Sequence, residues 1–159
     1  MNERDNRRGD SLVASNRKAR HDFEILEVIE AGIVLTGSEV KSARAGQVQL
    51  ADGYARLANG AMVLEAVHIA PYSFSHGVGS HDPVRTRVLL LHRHEIRRLA
   101  DRMARERLTL VPLEMAFREG RVKIDLGLAK GRTKGDRRQA IAKRETELEM
   151  RRAKRRDER

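Results

Sequence analysis

The stretch that decides the fold is residues 108–128, which read LTLVPLEMAFREGRVKIDLGL. Apolar and polar residues alternate on both sides of Arg118-Glu119-Gly120. A period of two is typical of strands with one buried face, and a glycine-containing break between such runs is typical of a hairpin. Each run is expected to bury one face, formed by Val111, Leu113, Met115 and Phe117 in the first and by Val122, Ile124, Leu126 and Leu128 in the second.

More strands are predicted upstream of this hairpin. Residues 23–29 alternate in the same way, and we expect Ala31-Gly32 to turn the chain into a return strand at 33–35. Residues 54–58 and 61–69 flank Asn59-Gly60, a pair that accepts the positive φ angles of a tight hairpin turn. Residues 85–91 predict a further strand.

Two short helices complete the predicted body. Residues 38–46 have Ser38 as a candidate N-cap and Gly46 just past the end. Residues 94–107 carry apolar side chains at helical spacing, with arginines between them. The whole pattern predicts a mainly β protein with short helices, arranged as a small closed barrel with the helices packed at its ends.

The charge is concentrated at the carboxyl end. The chain has a net charge of +10, of which residues 130–159 contribute +7 and residues 23–129 only +1. A basic tail of this kind attracts polyanions, above all nucleic acid. We predict three parts: a flexible arm at 1–15, the barrel domain at 16–129 and a basic tail at 130–159.

The tail contains good helix formers from Asp136 to about Arg155, but its only large apolar residues are Ile141, Leu148 and Met150. This stripe is too thin to dock firmly on a barrel. We therefore expect the free tail to be disordered or partly helical, and to fold on a partner.

Composition argues against several functional classes. The chain has no cysteine, which excludes disulfides and thiolate metal sites and fits a cytoplasmic protein. The sequence shows no signal peptide, no membrane span, no histidine spacing typical of a metal site and no nucleophile–base motif. We expect no enzyme activity, no metal and no cofactor. Aromatic residues are scarce, which favours recognition of folded RNA through phosphates and shape over base stacking.

Three basic clusters are candidate contacts. Residues 16–21, NRKARH, either touch phosphates or form a solvated linker. Lys41 and Arg44 share one helix face, for which a solvent-exposed role is the simpler interpretation. Arg85 and Arg87 point the same way from a strand, toward either phosphates or carboxylates at the barrel rim.

Taken together, the order and spacing of six segments resemble the SsrA-binding protein family, the bacterial partners of transfer-messenger RNA. The segments are 16–21, 30–32, 37–42, 52–54, 82–91 and 129–138, and the resemblance extends from about residue 16 to residue 144. It implies an oligonucleotide-binding-fold barrel that binds the tRNA-like domain of transfer-messenger RNA. It also implies delivery, together with elongation factor Tu, to stalled ribosomes for trans-translation. The protein is expected to act as a monomer and away from membranes.

The resemblance and the basic clusters together define the candidate site residues. The RNA-binding candidates are Asn16, Arg17, Lys18, Arg20, His21, Glu30, Glu39, Lys41, Ser42, Arg44, Arg85, Arg87, Leu91, Lys123, Lys130 and Gly131. The tail is expected to enter the empty messenger channel near the decoding centre of the small subunit, through Arg132, Lys134, Asp136, Arg137, Arg138, Lys143, Arg144, Arg151 and Arg152.

Two features of the tail depart from the family pattern. Arg132-Thr133 stands where the family has two lysines, and Arg137 stands where it has one lysine. Arginine keeps the charge of lysine but not its contact geometry. The alternative function is that of a general basic RNA-binding or ribosome-associated protein.

Overall fold

The computed structural model describes residues 11–72, 81–132 and 134–157, which form nine strands and four helices. The strands are β1 Ser11–Ser15, β2 Phe23–Ile33, β3 Val48–Gln49, β4 Tyr54–Ala58, β5 Ala61–Glu65, β6 His68–Ile69, β7 Arg87–Leu90, β8 Thr109–Arg118 and β9 Arg121–Gly131. The helices are α1 Arg17–Asp22, α2 Gly37–Arg44, α3 Arg93–Glu106 and α4 Lys134–Asp157. The prediction of a mainly β protein with short helices is confirmed.

Six antiparallel strands close into a ring. They pair in the order β8-β4-β5-β7-β2-β9, and β9 pairs back onto β8. The first half of β8 contacts β4 at Leu110, and its second half contacts β1 along residues 114–117. β3 and β6 form a separate two-stranded sheet. The ring agrees with the predicted closure of the sheet, while its assignment to the oligonucleotide-binding fold stays a prediction.

A β-bulge divides the side chains of β8 between two apolar clusters. The register shifts between Pro112 and Glu114. Such a shift moves later side chains to the opposite face of the sheet. Val111 and Leu113 consequently pack under α1, whereas Met115 and Phe117 lie in the main core with Ile124, Leu126 and Leu128. The prediction that Val111, Leu113, Met115 and Phe117 share one face was wrong. The alternation of apolar and polar residues in the sequence continues through the bulge and does not reveal it.

The turn predicted at Ala31-Gly32 was also wrong, because β2 continues straight through it. Gly32 is opposite Lys123 on one side and Leu90 on the other. A Cβ at Gly32 would lie 3.1 Å from the Cβ of Leu90. The glycine therefore marks a close approach of two strands here.

The ends of the body differ from the predicted boundaries. Residues 11–15 were predicted to belong to a loose arm, but they form β1 on the edge of β8. β9 continues to Gly131, which is opposite Phe23, and the Arg132 amide donates to the carbonyl of Asp22. The folded body thus extends from residue 11 to residue 132, with gaps only where residues are not described.

The predicted hairpin at Asn59-Gly60 joins β4 to β5, and both residues have positive φ angles, 49° and 78°. The start of α2 was wrongly predicted. Thr36 caps the helix, not Ser38, and the Glu39 carboxylate accepts the Thr36 amide in return, which makes a capping box.

The tail forms one continuous helix, α4. This agrees with the helical alternative of the prediction. All of its described side chains are exposed, including Ile141, Leu148 and Met150. At 1.5 Å per residue its 24 residues extend for about 36 Å.

Candidate nucleic-acid interface

Three of the predicted RNA-binding residues line one open groove. Glu30 comes from β2, Lys123 from β9 and Leu91 from the residue after β7, and the groove has a volume of about 410 Å³. The strand pairing explains why they meet. β2 lies between β9 and β7, and Gly32, near the carboxyl end of β2, carries no side chain that would fill the space. We call this site the Glu30 groove.

Glu30 is held by an arginine from the neighbouring hairpin. Arg118 Nη1 donates to Glu30 Oε2 at 2.7 Å and to Asp125 Oδ1 at 2.8 Å, and Nη2 donates to Asp125 Oδ2 at 2.9 Å. These hydrogen bonds, first to Asp125 and then to Glu30, raise the pKa of Arg118. The Glu30 side chain is still 52% exposed. It therefore offers a ligand an acceptor oxygen whose position is fixed.

A second groove of about 320 Å³ adjoins the first, and the two share Gly32, Leu90 and Lys123. Phe117 lines it, and the Arg44 guanidinium lies 4.6 Å from the centre of the Phe117 ring. Cations in this position are attracted by the ring face. The contact places the predicted residue Arg44 beside the same surface as Lys123.

Lys41, one turn earlier on α2, has a similar arrangement. Its ammonium nitrogen lies 5.5 Å from the centre of the Tyr72 ring. Lys41 and Arg44 are exposed on the same helix. The two adjoining grooves thus bring together Glu30, Lys123 and, through Phe117, Arg44, while Lys41 lies one turn away from Arg44 on α2.

Four other RNA-binding candidates are buried, and their side chains have structural partners. They are Asn16, Glu39, Ser42 and Arg87. Asn16 accepts the Ala19 amide as the cap of α1 and donates to the carbonyls of Leu50 and Pro112. Since these side chains are closed off from a ligand, we correct their role from RNA contact to support of the fold.

Glu39 is the centre of a buried ion cluster. One carboxylate oxygen accepts from Arg85 Nε at 3.0 Å and from the Thr36 amide at 2.9 Å, and the other accepts from Arg87 Nε. Arg87 also donates to the carbonyls of Val67 and Pro83. Burial alone would raise the pKa of Glu39, but these hydrogen bonds lower it to about 2. Of the two interpretations left open for Arg85 and Arg87, the structure supports pairing with a carboxylate.

The first basic cluster forms α1, which was not predicted as a helix. Arg17, Lys18, Arg20 and His21 are exposed on it. Lys18 pairs with Asp52 at 3.2 Å, and His21 contacts Asp22 at 3.0 Å. The sequence indicated the basic character of this segment, but the buried cap at Asn16 could not be recognised without its distant carbonyl partners.

The α1 cluster adjoins the start of the tail and not the Glu30 groove. Lys130 and Gly131 are exposed at the end of β9, where Arg132 bonds to the last residue of α1. Seven residues of strand, about 23 Å, separate Lys130 from Lys123. The candidates therefore fall into two basic surfaces near opposite ends of β9.

The tail candidates continue from the second surface. Arg138, Lys143, Arg144, Arg151 and Arg152 are exposed along α4. Lys134, Asp136 and Arg137 lie in its first turn.

Sequence reasoning missed Arg118, Asp125 and Phe117, which position Glu30 and Arg44. Arg118 was assigned to the turn, and Asp125 to the polar face of a strand. The register of β9 against β2 sets Glu30 opposite Asp125. Only the pairing of distant strands reveals this connection.

Other kinds of site are not found in the part of the chain that the structure describes. Those residues contain no group of three or more His, Cys, Asp or Glu side chains that could hold a metal ion. No helix within residues 11–72, 81–132 and 134–157 is long and apolar enough to cross a membrane.

The similarity of this chain to known proteins covers nearly its whole length. A family model described as SmpB protein matches residues 13–156. The SsrA-binding protein of Roseiflexus castenholzii is 53% identical over 142 residues, 89% of this chain and 90% of that protein. That of Thermosynechococcus vestitus is 49% identical over 147 residues, 91% and 97% of the two chains. A solved structure described as "tmRNA-SmpB: a journey to the center of the bacterial ribosome" matches with a TM-score of 0.64 and 47% identity, over 80% of this chain and 93% of that one.

Proposed function

This chain belongs to the SmpB family of SsrA-binding proteins, and on that premise we propose that it binds transfer-messenger RNA and acts with it on stalled ribosomes in trans-translation. In finer detail, the ring of strands holds the tRNA-like domain of the RNA. The tail then tests whether the messenger channel is empty.

The Glu30 groove is the observation that carries the proposal for the body. It combines a fixed carboxylate at Glu30, an apolar wall at Leu91 and a cation at Lys123. A purely electrostatic phosphate binder has no use for a carboxylate at its centre. An acceptor held by Arg118 can receive hydrogen bonds from base amino groups or ribose hydroxyls of a folded RNA.

The separation of the two basic surfaces supports a division of labour. Lys123 lines the Glu30 groove, Arg44 lies beside the adjoining groove, and Lys41 is one turn from Arg44 on α2; these three cations would contact the phosphates of transfer-messenger RNA. The α1 residues, together with Lys130 and Gly131, lie where the tail leaves the body. We assign this second surface to ribosomal RNA of the decoding centre, continuous with the tail.

The tail has the length and charge for a nucleic-acid channel. A helix of about 36 Å with arginines and lysines along it can pair with channel phosphates that a message would otherwise occupy. A message in the channel excludes the tail by volume and by competition for those phosphates. Elongation factor Tu joins through the RNA, and one copy of this chain acts per RNA.

A truncation after Arg132 tests this division. The cut must follow Arg132 because β9 and its bond to α1 continue to that residue. We expect chain 1–132 to keep selective affinity for transfer-messenger RNA over a random RNA of equal length, and to lose peptide tagging on stalled ribosomes. If chain 1–132 binds both RNAs equally while the full chain discriminates, the body does not supply the specificity and the proposal fails.

A further inference from the structure

A third groove lies between α3 and the tip of the β4–β5 hairpin. Its volume is about 590 Å³. Apolar side chains and two arginines line it together with the hairpin turn: Leu57, Asn59, Gly60, Arg93, Ile96, Arg97 and Ala100. We call it the α3 groove. None of its residues is among the candidates assigned above to RNA or to the ribosome.

The two arginines of this groove differ from the other arginines of α3. Arg98 and Arg102 both pair with Glu27, and Arg105 pairs with Asp101. Arg93 and Arg97 have neither an ion pair nor a hydrogen bond to any residue within the described ranges. They lie one turn apart on the same face, where like charges repel. An anion bound between them would relieve this repulsion and gain two attractions.

The floor of the groove is apolar and open. Leu57 is 47% exposed although Ala55, two residues earlier on the same strand, lies in the core, and Ile96 and Ala100 are only half-buried. Unstacked bases of RNA stack on the planes of arginine side chains, and bases taken out of a stack also pack on apolar side chains. Asn59 at the rim offers an amide that can donate and accept at a base edge. The groove therefore combines sites for a phosphate, a base face and a base edge.

The α3 groove lies next to the Glu30 groove around the beginning of α3. His92 and Glu95 line the Glu30 groove, while Arg93 and Ile96 line the α3 groove. The two grooves therefore meet at the first turn of α3, on adjacent faces of the helix. An RNA strand leaving the Glu30 groove needs to cross only this turn.

We propose that the α3 groove binds one unstacked nucleotide of the RNA that occupies the Glu30 groove. Its phosphate lies against Arg93 and Arg97, and its base packs on Leu57 and Ile96. The inference rests on the proposed function, because the Glu30 groove supplies the strand. This continuity favours RNA over an acidic peptide, the other ligand of matching charge.

The test compares two paired substitutions in the full chain. Arg93→Ala with Arg97→Ala removes the two free cations, while Arg105→Ala with Arg107→Gly removes two cations at the far end of the helix. Affinity for transfer-messenger RNA is measured between 50 and 200 mM salt. Losing the contact to this one phosphate should reduce the slope of log affinity against log salt by about 0.7, and weaken binding at 0.1 M salt on the order of fivefold. The control pair should leave the slope at its wild-type value.

Leu57→Ser provides a second, uncharged probe. Returning roughly 40 Å² of apolar surface to water should weaken binding about fivefold without changing the salt slope. Wild-type affinity and slope in the Arg93–Arg97 variant would overturn the inference, as would equal losses in the two arginine pairs. Either result is separate from failure of the proposed function, which would appear as a wild-type chain that does not prefer transfer-messenger RNA.

Discussion

The buried Glu39 cluster gives a prediction that separates support of the fold from contact with RNA. In Glu39→Gln, the side chain keeps its size, but an NH2 group that can only donate replaces one carboxylate oxygen. Since Arg85 and Thr36 occupy one oxygen and Arg87 the other, either orientation sets a donor against an arginine. Arg87 is completely buried and would remain charged without its partner.

The burial of the pair and the lowered pKa of Glu39 both set the size of the effect. Removing one partner of a buried ion pair costs about 3–5 kcal/mol. The lowered pKa of Glu39, about 2 against an ordinary 4.5, corresponds to about 3 kcal/mol of stability at neutral pH. This part of the stability is present above about pH 4.5 and is lost as the pH falls toward 2. A loss of about 3 kcal/mol lowers the melting temperature by roughly 6–12 °C for a domain of this size.

Urea unfolding of the wild type and Glu39→Gln, followed by circular dichroism at pH 7 and pH 3, measures the effect. The matched control is Asp101→Asn, whose exposed pair with Arg105 should contribute less than about 1 kcal/mol. The difference between wild type and Glu39→Gln should shrink at pH 3, where the wild type is losing the same interaction. Under conditions where both are folded, Glu39→Gln should bind RNA like the wild type.

A loss below about 1 kcal/mol at pH 7 would refute the energetic argument, because it would mean that the cluster contributes little. A full loss of RNA affinity in a variant that remains folded would refute the assignment of Glu39 to the interior.

Three other predictions follow from the site, the packing and the tail. Glu30→Ala should weaken binding of transfer-messenger RNA on the order of tenfold even though it removes a negative charge, whereas the control Glu24→Ala on the same strand should bind like the wild type. Titration with labelled RNA measures both affinities, and equal or tighter binding by Glu30→Ala would contradict the role of the carboxylate. Gly53→Ala should destabilise the body by about 1–3 kcal/mol, measured by urea unfolding, because a Cβ there would lie 2.6 Å from a valine methyl and 2.8 Å from a proline ring carbon. The control Gly37→Ala, whose Cβ would meet nothing within 4 Å, should be nearly neutral. Ala153→Pro should destabilise the tail helix by about 3 kcal/mol and reduce tagging of stalled peptides without changing RNA affinity. The control is Ala153→Ser, and equal tagging by the two variants would show that the tail does not act as a helix.

Local patterns in the sequence were sufficient for the hairpins and for α3. The Asn59-Gly60 turn and the alternation in β9 depend on residues close together in the chain, so their signals were readable. The bulge in β8 and the straight passage of β2 through Gly32 were not, because both depend on pairing with strands far away in the sequence. The same limit explains why β1, which is stabilised by β8, was predicted as a loose arm.

The residues of the candidate site divide in the same way, into those that the local sequence predicts and those whose role depends on distant parts of the fold. Exposed charges such as Lys41 and Arg44 were predicted correctly as surface residues. Glu39 and Arg87 were misassigned, because a charged residue is ordinarily exposed and only the fold reveals that these two bury each other. The resemblance identified segments, but it could not distinguish a residue that contacts a ligand from one that holds the contact residues in place.

The identity of the RNA bound in cells tests the central claim most directly. The full chain is purified under conditions that preserve ribonucleoprotein complexes, and the RNA that accompanies it is sequenced. We expect transfer-messenger RNA to be enriched far above its cellular share, and Glu30→Ala to reduce this enrichment. Recovery of RNA in proportion to its abundance, dominated by ribosomal RNA, would instead indicate a general ribosome-associated protein.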